Sequence, residues 1–205
     1  RSSFDNEIEL DDYDVLIMPS GNYSSVLKES EQKKLNSWVS KGGKVIAINR
    51  ALNSFADKDG FDLKIKKTKD SESDEIIPYA NKRCDYAKNM ITGAIFKTTV
   101  DNTHPMGYGY HNNYFSLKLS NTSFELLKKG NNIAYIKENT TPVSGFAGNN
   151  TKESLHNSLV FGEERMGRGS FIYLVDDVLF RNFWENGKMF LVNAVFLVNN
   201  RPYKD

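Results

Sequence analysis

Cysteine is nearly missing from this sequence: Cys84 is the only one in 205 residues. One cysteine excludes an intrachain disulfide framework and any zinc site built from thiolates. No histidine is near it, so it reads as a packed helix residue rather than a nucleophile. Histidine is scarce as well, with three residues. None of them has the His-x-x-Glu spacing of a zinc peptidase: His104 precedes Pro-Met-Gly, His111 precedes Asn-Asn-Tyr and His156 precedes Asn-Ser-Leu. Charge of one sign is also lacking. The 27 Lys and Arg nearly balance 26 Asp and Glu, for a formal net charge of +1, and no basic stripe argues for nucleic acid. No apolar run reaches the length of a membrane span, and no stretch reads as a signal peptide. The chain opens on Arg1 instead of Met, which reads as a piece of a longer polypeptide or a processed form.

What is present suits one α/β domain over residues 1–205. Hydrophobic residues make up 39% and aromatics 12%. A chain of this size buries about 70% of its unfolded surface, enough for a sizeable core. The densest charge, Lys64–Asp74, reads as a solvated loop or edge strand. No internal repeat or low-complexity tract occurs.

The order of elements is more telling. Asp14–Met18 is apolar without alternation, like a strand buried on both faces, and ends at Pro19-Ser20-Gly21. A helix follows from Ser24 or Ser25 to Ser40, with Val26, Leu27, Leu35, Trp38 and Val39 largely on one face and Gly42-Gly43 as its stop. Lys44–Ile48 is a second buried strand, and a short helix runs from Arg50 to Phe55. Strand, helix and strand form a βαβ unit, whose ligand edge is the carboxyl end of its strands. Further on, Pro78–Met90 reads as a helix, with Tyr79, Cys84, Ala87 and Met90 apolar positions. Ala94–Val100 reads as a strand, Asp101–Tyr110 as a loop and Phe124–Lys129 as a short helix. Ile133–Ile136, Val143–Phe146 and Leu159–Phe161 are short strands, Glu163–Gly169 a charged hairpin turn and Ser170–Val175 a strongly apolar strand. A long helix runs from Phe180 to about Asn199. The sequons at Asn121, Asn139 and Asn149 suggest surface loops.

The string Asp-Tyr-Asp-Val-Leu-Ile-Met-Pro-Ser-Gly-Asn (Asp12–Asn22) resembles the strand and oxyanion loop of class I glutamine amidotransferase-like domains. Leu35–Phe55 resembles their helix, glycine pair, strand and nucleophile elbow. The implied fold is a doubly wound, mainly parallel, flavodoxin-like sheet with additional strands in the second half. Gly93-Ala94-Ile95-Phe96, the run Asp101–Tyr110, Gly167–Ser170 and the stretches Asp176–Trp184 and Asn193–Phe196 are similar to the C-terminal domain of bacterial zinc carboxypeptidase-like proteins, particularly in the Bacteroidetes. That resemblance implies a peptidase domain preceding residue 1 as the partner of this one. It implies zinc in that domain only, no cofactor here, and a periplasmic or secreted address.

The family's elbow reads Gly-x-Cys-x-Gly. Here it reads Ala47-Ile48-Asn49-Arg50-Ala51. An asparagine amide is no nucleophile, and the place matching the family's His and Glu continues Asp176-Asp177 with no histidine. The triad cannot be assembled, which implies a non-catalytic accessory domain. The candidate pocket comprises Ser20, Gly21 and Asn22 after the first strand, Asn49 and Arg50 at the elbow, His104 and Tyr108 in the middle loop, and Asp176 and Asp177. Arg50 could bind a carboxylate such as a peptide C-terminus, or pair internally with Glu75 or Asp176. His104, His111, Tyr108, Tyr110 and Tyr114 could form a peptide or glycan pocket, or a packed loop shaped by its His-Pro turn and glycines. Asp176 and Asp177 could hold a cation or act as acid and base, giving a hydrolase of another class. Otherwise one caps the final helix and the other pairs with Arg181.

Overall fold

The computed structural model describes residues 9–66 and 78–198. In chain order it has β1 (Val15–Met18), α1 (Glu29–Ser40), β2 (Lys44–Ile48), α2 (Tyr79–Lys88), β3 (Ile91–Val100), β4 (Asn113–Lys118), β5 (Asn131–Ile136), β6 (Pro142–Ala147), α3 (Asn149–Leu155), β7 (Ser158–Met166), β8 (Gly169–Leu174) and α4 (Glu185–Phe196). The strands join in one eight-stranded sheet of order β1-β2-β8-β7-β5-β3-β4, with β6 also paired to β3. β1, β2 and β8 run parallel, and the remaining pairings are antiparallel.

Two of the three parallel strands have the character their composition requires; β1, expected to be buried on both faces, is instead an edge strand with Ile17 43% exposed. Every residue of β2 and β8 is buried, since helices cover both faces. On one face Leu35, Trp38 and Val39 of α1 meet Val45, Ala47, Phe171 and Tyr173. On the other, Phe190 and Ala194 of α4 meet Ile46, Ile48, Ile172 and Leu174. Each such side chain contributes about 1.5–3 kcal/mol relative to exposure, before entropy is charged against it. The glycine pair after α1 serves two ends. Gly42, at φ 121, takes the left-handed position that ends the helix. Gly43 lies under Trp38, where an added Cβ would sit 2.4 Å from the indole.

Several expectations are corrected. The first helix begins at Glu29 and not at Ser24 or Ser25. The amides of Val26 and Leu27 both turn back to the Tyr23 carbonyl, at 3.0 and 2.8 Å, and Asn22 Oδ1 accepts from Ser24 N. The segment after β2 is a 3-10 helix, Asn49–Ser54. α2 buries none of its residues; Tyr79 is 91% exposed and Cys84 is exposed, so neither is a core position. The reason is location: α2 packs on α3, where Asn150 Nδ2 donates to Asn89 Oδ1 at 3.0 Å, and not on the sheet.

Phe124–Lys129 is not a helix. Phe124 bridges to Ile65, and the amides of Lys129 and Gly130 donate to the Asp62 carboxylate. The final helix is broken at Arg181 and Asn182, whose φ values are 49 and 58, leaving a 3-10 turn at Phe180–Asn182 before α4. β4 and α3 were not expected, because neither has an apolar run. Glu163 and Glu164 are buried residues of β7, and the hairpin turns at Gly167-Arg168 instead. Most of the charged run Lys64–Asp74 lies outside the described residues. Among the described residues, no helix is long and apolar enough to cross a membrane.

Candidate functional site

Asn49 follows β2 directly, at φ 52, the left-handed backbone that an elbow demands and that asparagine tolerates better than most residues. Its side chain makes three hydrogen bonds. Oδ1 accepts from Ser20 Oγ at 3.1 Å and from Arg50 N at 2.9 Å, and Nδ2 donates to the Val175 carbonyl at 3.2 Å. Ser20 lies just past β1 and Val175 just past β8. Asn49 therefore laces together the carboxyl ends of the three parallel strands. The side chain at this left-handed turn acts as a brace.

Beside this brace opens a cleft of about 290 Å³. It is lined by Gly21 to Ser24 and Leu27 from the loop after β1, and by Arg50, Asn53, Ser54 and Lys58 from the far side of the elbow. Asn49 and Ser20 do not line it. Tyr23 is fixed as a wall by its hydroxyl, which donates to the Pro19 carbonyl at 2.9 Å. The two charged groups on the lining are both cations. Of the sequence candidates, the cleft thus collects Gly21, Asn22 and Arg50.

The others are elsewhere. His104 forms a part-buried pair with Glu163, Nε2 to Oε2 at 2.9 Å, while its Nδ1 accepts from Met106 N at 3.2 Å. That second bond leaves the proton on Nε2, which donates to the carboxylate. Asn131 Nδ2 donates to the same oxygen at 3.0 Å. Burial opposes ionisation of Glu163, but the hydrogen bonds from His104 and Asn131, helped by the charge of Arg165, outweigh it and hold the carboxyl below its ordinary value.

The tyrosine loop is packed rather than open. Tyr114 is buried, and Tyr110 stacks on Phe190 with ring centroids 4.0 Å apart while its hydroxyl donates to Asn186 O at 2.8 Å. Asn193 of α4 holds the loop by donating to the carbonyls of Met106 and Tyr108, at 3.0 and 2.7 Å. Only the Tyr108 side chain and His111 are exposed in this stretch of candidates.

Asp176 is buried and paired, but with Lys118 and not with Arg181. Its Oδ1 lies 3.0 Å from Lys118 Nζ, and its Oδ2 accepts from Ser116 Oγ. Arg181 instead stands over the Phe180 ring, 5.1 Å from its centroid. Asp177 Oδ1 accepts from Leu179 N at 3.0 Å, tying the turn that leads to Phe180 rather than capping α4. Arg50 does not pair with Asp176, and Glu75 lies outside the described residues.

Sequence reasoning missed Lys118, Glu163 and Lys58. Lys118 and Glu163 each sit in a stretch that reads as polar, and only the folded sheet puts them inside. Lys58 lies just beyond the elbow helix and had a weak signal as one more surface lysine. Among the described residues, no three His, Cys, Asp or Glu side chains gather as a metal site requires.

Neither a family model nor a curated protein sequence matches the chain. Solved structures do resemble it. A putative GMP synthase subunit from Thermoplasma acidophilum matches 91% of this chain and 73% of its own, at a TM-score of 0.50 and 11% identity. A putative ThuA-like protein from Bacteroides uniformis matches 91% of this chain and 69% of its own, at 0.45 and 14%. A β-galactosidase from Bacillus circulans sp. alkalophilus matches 92% of this chain but 23% of its own, at 0.49 and 11%. Likeness at these identities concerns the fold alone, and that fold is the glutamine amidotransferase-like α/β arrangement.

Proposed function

We propose that this chain is a non-catalytic accessory domain of the glutamine amidotransferase-like fold, serving to bind or position rather than to turn over. The observation that carries the reading is the engagement of Asn49. A nucleophile must present a free, activated atom to substrate. Asn49 spends its oxygen and its nitrogen on Ser20, Arg50 and Val175. The residues that would have to replace it are used separately: His104 by Glu163, and Asp176 by Lys118 and Ser116. A hydrolase built on Asp176, Asp177 and His104 would have to dismantle these contacts first.

The finer reading rests on the sequence resemblance. The parent is a zinc carboxypeptidase-like protein, periplasmic or secreted. Its own peptidase domain holds the zinc, and this domain positions that one, presents peptide or glycan, or mediates assembly. The test has two arms. Glutaminase activity is assayed on this chain, and zinc-dependent carboxypeptidase activity is assayed on the parent with and without it. The proposal expects an inert chain whose removal changes the parent's activity, stability or substrate range. Turnover by the chain alone would overturn the non-catalytic reading; a parent without peptidase activity would overturn the peptidase reading only.

A further inference from the structure

We propose that the cleft beside the elbow binds a small organic anion, with a carboxylate or phosphate group held between Arg50 and Lys58. The inference rests on the reading of this chain as a binding domain and adds the ligand class.

The argument begins with charge. Arg50 and Lys58 face one space of about 290 Å³, and no carboxylate is on its lining. Neither cation forms an ion pair with any described residue. Two like charges turned to one concavity repel each other, and an anion between them relieves that repulsion. The guanidinium offers a fork suited to two oxygens, and the ammonium a point charge that can follow the ligand.

The neutral lining fits the same ligand. Asn53 and the Ser54 hydroxyl carry no other side-chain hydrogen bond among the described residues, so their donors are available to oxygen acceptors. Leu27 and the fixed Tyr23 ring make an apolar wall for a short carbon body. The volume lies at the small end of ligand pockets, which favours a small molecule or the end of a chain. The position is the carboxyl edge of parallel strands, where crevices of such sheets take ligands. Asn49 is absent from the lining, so this is not the pocket that a nucleophile at the elbow would serve.

The 205-residue chain is titrated calorimetrically at low salt with inorganic phosphate, with N-acetylglycine and with the neutral N-acetylglycinamide. Saturable binding of phosphate or of N-acetylglycine, and none of the amide, is the expected result; which anion binds tells phosphate from carboxylate. Arg50→Gln should weaken the binding roughly tenfold or more. Lys58→Gln should weaken it several-fold, and its exposed position keeps the fold intact should Arg50→Gln perturb it. Silence from both anions, equal binding of the amide, or affinity unmoved by both substitutions would overturn the assignment. A chain that binds no anion but stays inert in the glutaminase assay loses this inference and keeps the accessory reading. Turnover by the chain removes the accessory reading whatever the titration gives.

Discussion

Lys118, on the outermost strand of the sheet order, forms a buried ion pair with Asp176, which follows β8 four strands away: Nζ and Oδ1 are 3.0 Å apart, and both side chains are at most 7% exposed. A flat sheet could not bring them together. The antiparallel half must curl back over the end of β8, and Ser116 and Lys118 of β4 reach Asp176 from that curl. The pair locks the two halves of the sheet against each other.

Removing one member should therefore leave a buried charge alone. Lys118→Met is expected to cost about 3–5 kcal/mol in urea unfolding. The double variant Lys118→Met/Asp176→Leu should recover much of that loss. Equal destabilisation by single and double variants would show that packing, and not the stranded charge, sets the cost.

At the elbow, Asn49 combines a left-handed backbone with three side-chain hydrogen bonds. Asn49→Ala loses the bonds and keeps the strained backbone, so a loss of about 2–4 kcal/mol is expected. Asn49→Gly loses the same bonds but relieves the strain, so it should withstand more urea than Asn49→Ala. The reverse order would mean the elbow is held by packing alone. Asn49→Cys is expected to show no glutaminase activity, because the contacts of Asn49 include no histidine and His104 is paired with Glu163 instead.

The alkaline limb of stability should carry the mark of Lys44. This residue is 2% exposed and donates to the carbonyls of Ala194 and Val195 near the end of α4. Burial pushes its ammonium down to about 8, against the favourable charges of Glu163 and Asp14. The unfolded chain holds that proton up to its ordinary value near pH 10.4, so it binds more protons than the folded state between the two values. Stability should rise with pH across that window. The tyrosines act oppositely: burial pushes Tyr110 up to about 12 and also raises Tyr114 and Tyr173. They lose protons first when unfolded, so stability should fall above about pH 10. Lys44→Met should abolish the rise and leave the fall, as read by urea midpoints across the range.

On the acid side the sign reverses for Glu163. Its carboxyl is held below its ordinary value, so its contribution is present above the unfolded pKa and is lost as pH falls through the folded one. Glu163→Gln should flatten that acid loss relative to the parent chain. His104→Ala, which leaves the buried carboxylate without its part-buried donor, should cost about 1–3 kcal/mol at neutral pH. Unchanged acid limbs in both variants would remove Glu163 as their source.

The sequence by itself determined the parallel centre of this protein. The apolar runs of β2 and β8 specify strands of a sheet covered on both faces, and both are wholly buried, whereas the equally apolar β1 lies at the sheet edge with Ile17 43% exposed. The tight turn after β2 was legible too, since Asn49 directly follows the strand there and takes a left-handed backbone. Only the tertiary structure decided the rest. β4 carries Tyr, Phe, Ser and Lys in a mixed pattern, and its Lys118 is buried only because a distant aspartate waits for it. Helix α2 has apolar residues at helical spacing, yet it lies off the sheet and buries none of them. Asp176, Asp177 and His104 are adjacent to the expected ligand edge as residue types. Which of them is free is a matter of partners that lie as far as 60 residues away in the chain, and local sequence carries no record of such pairings.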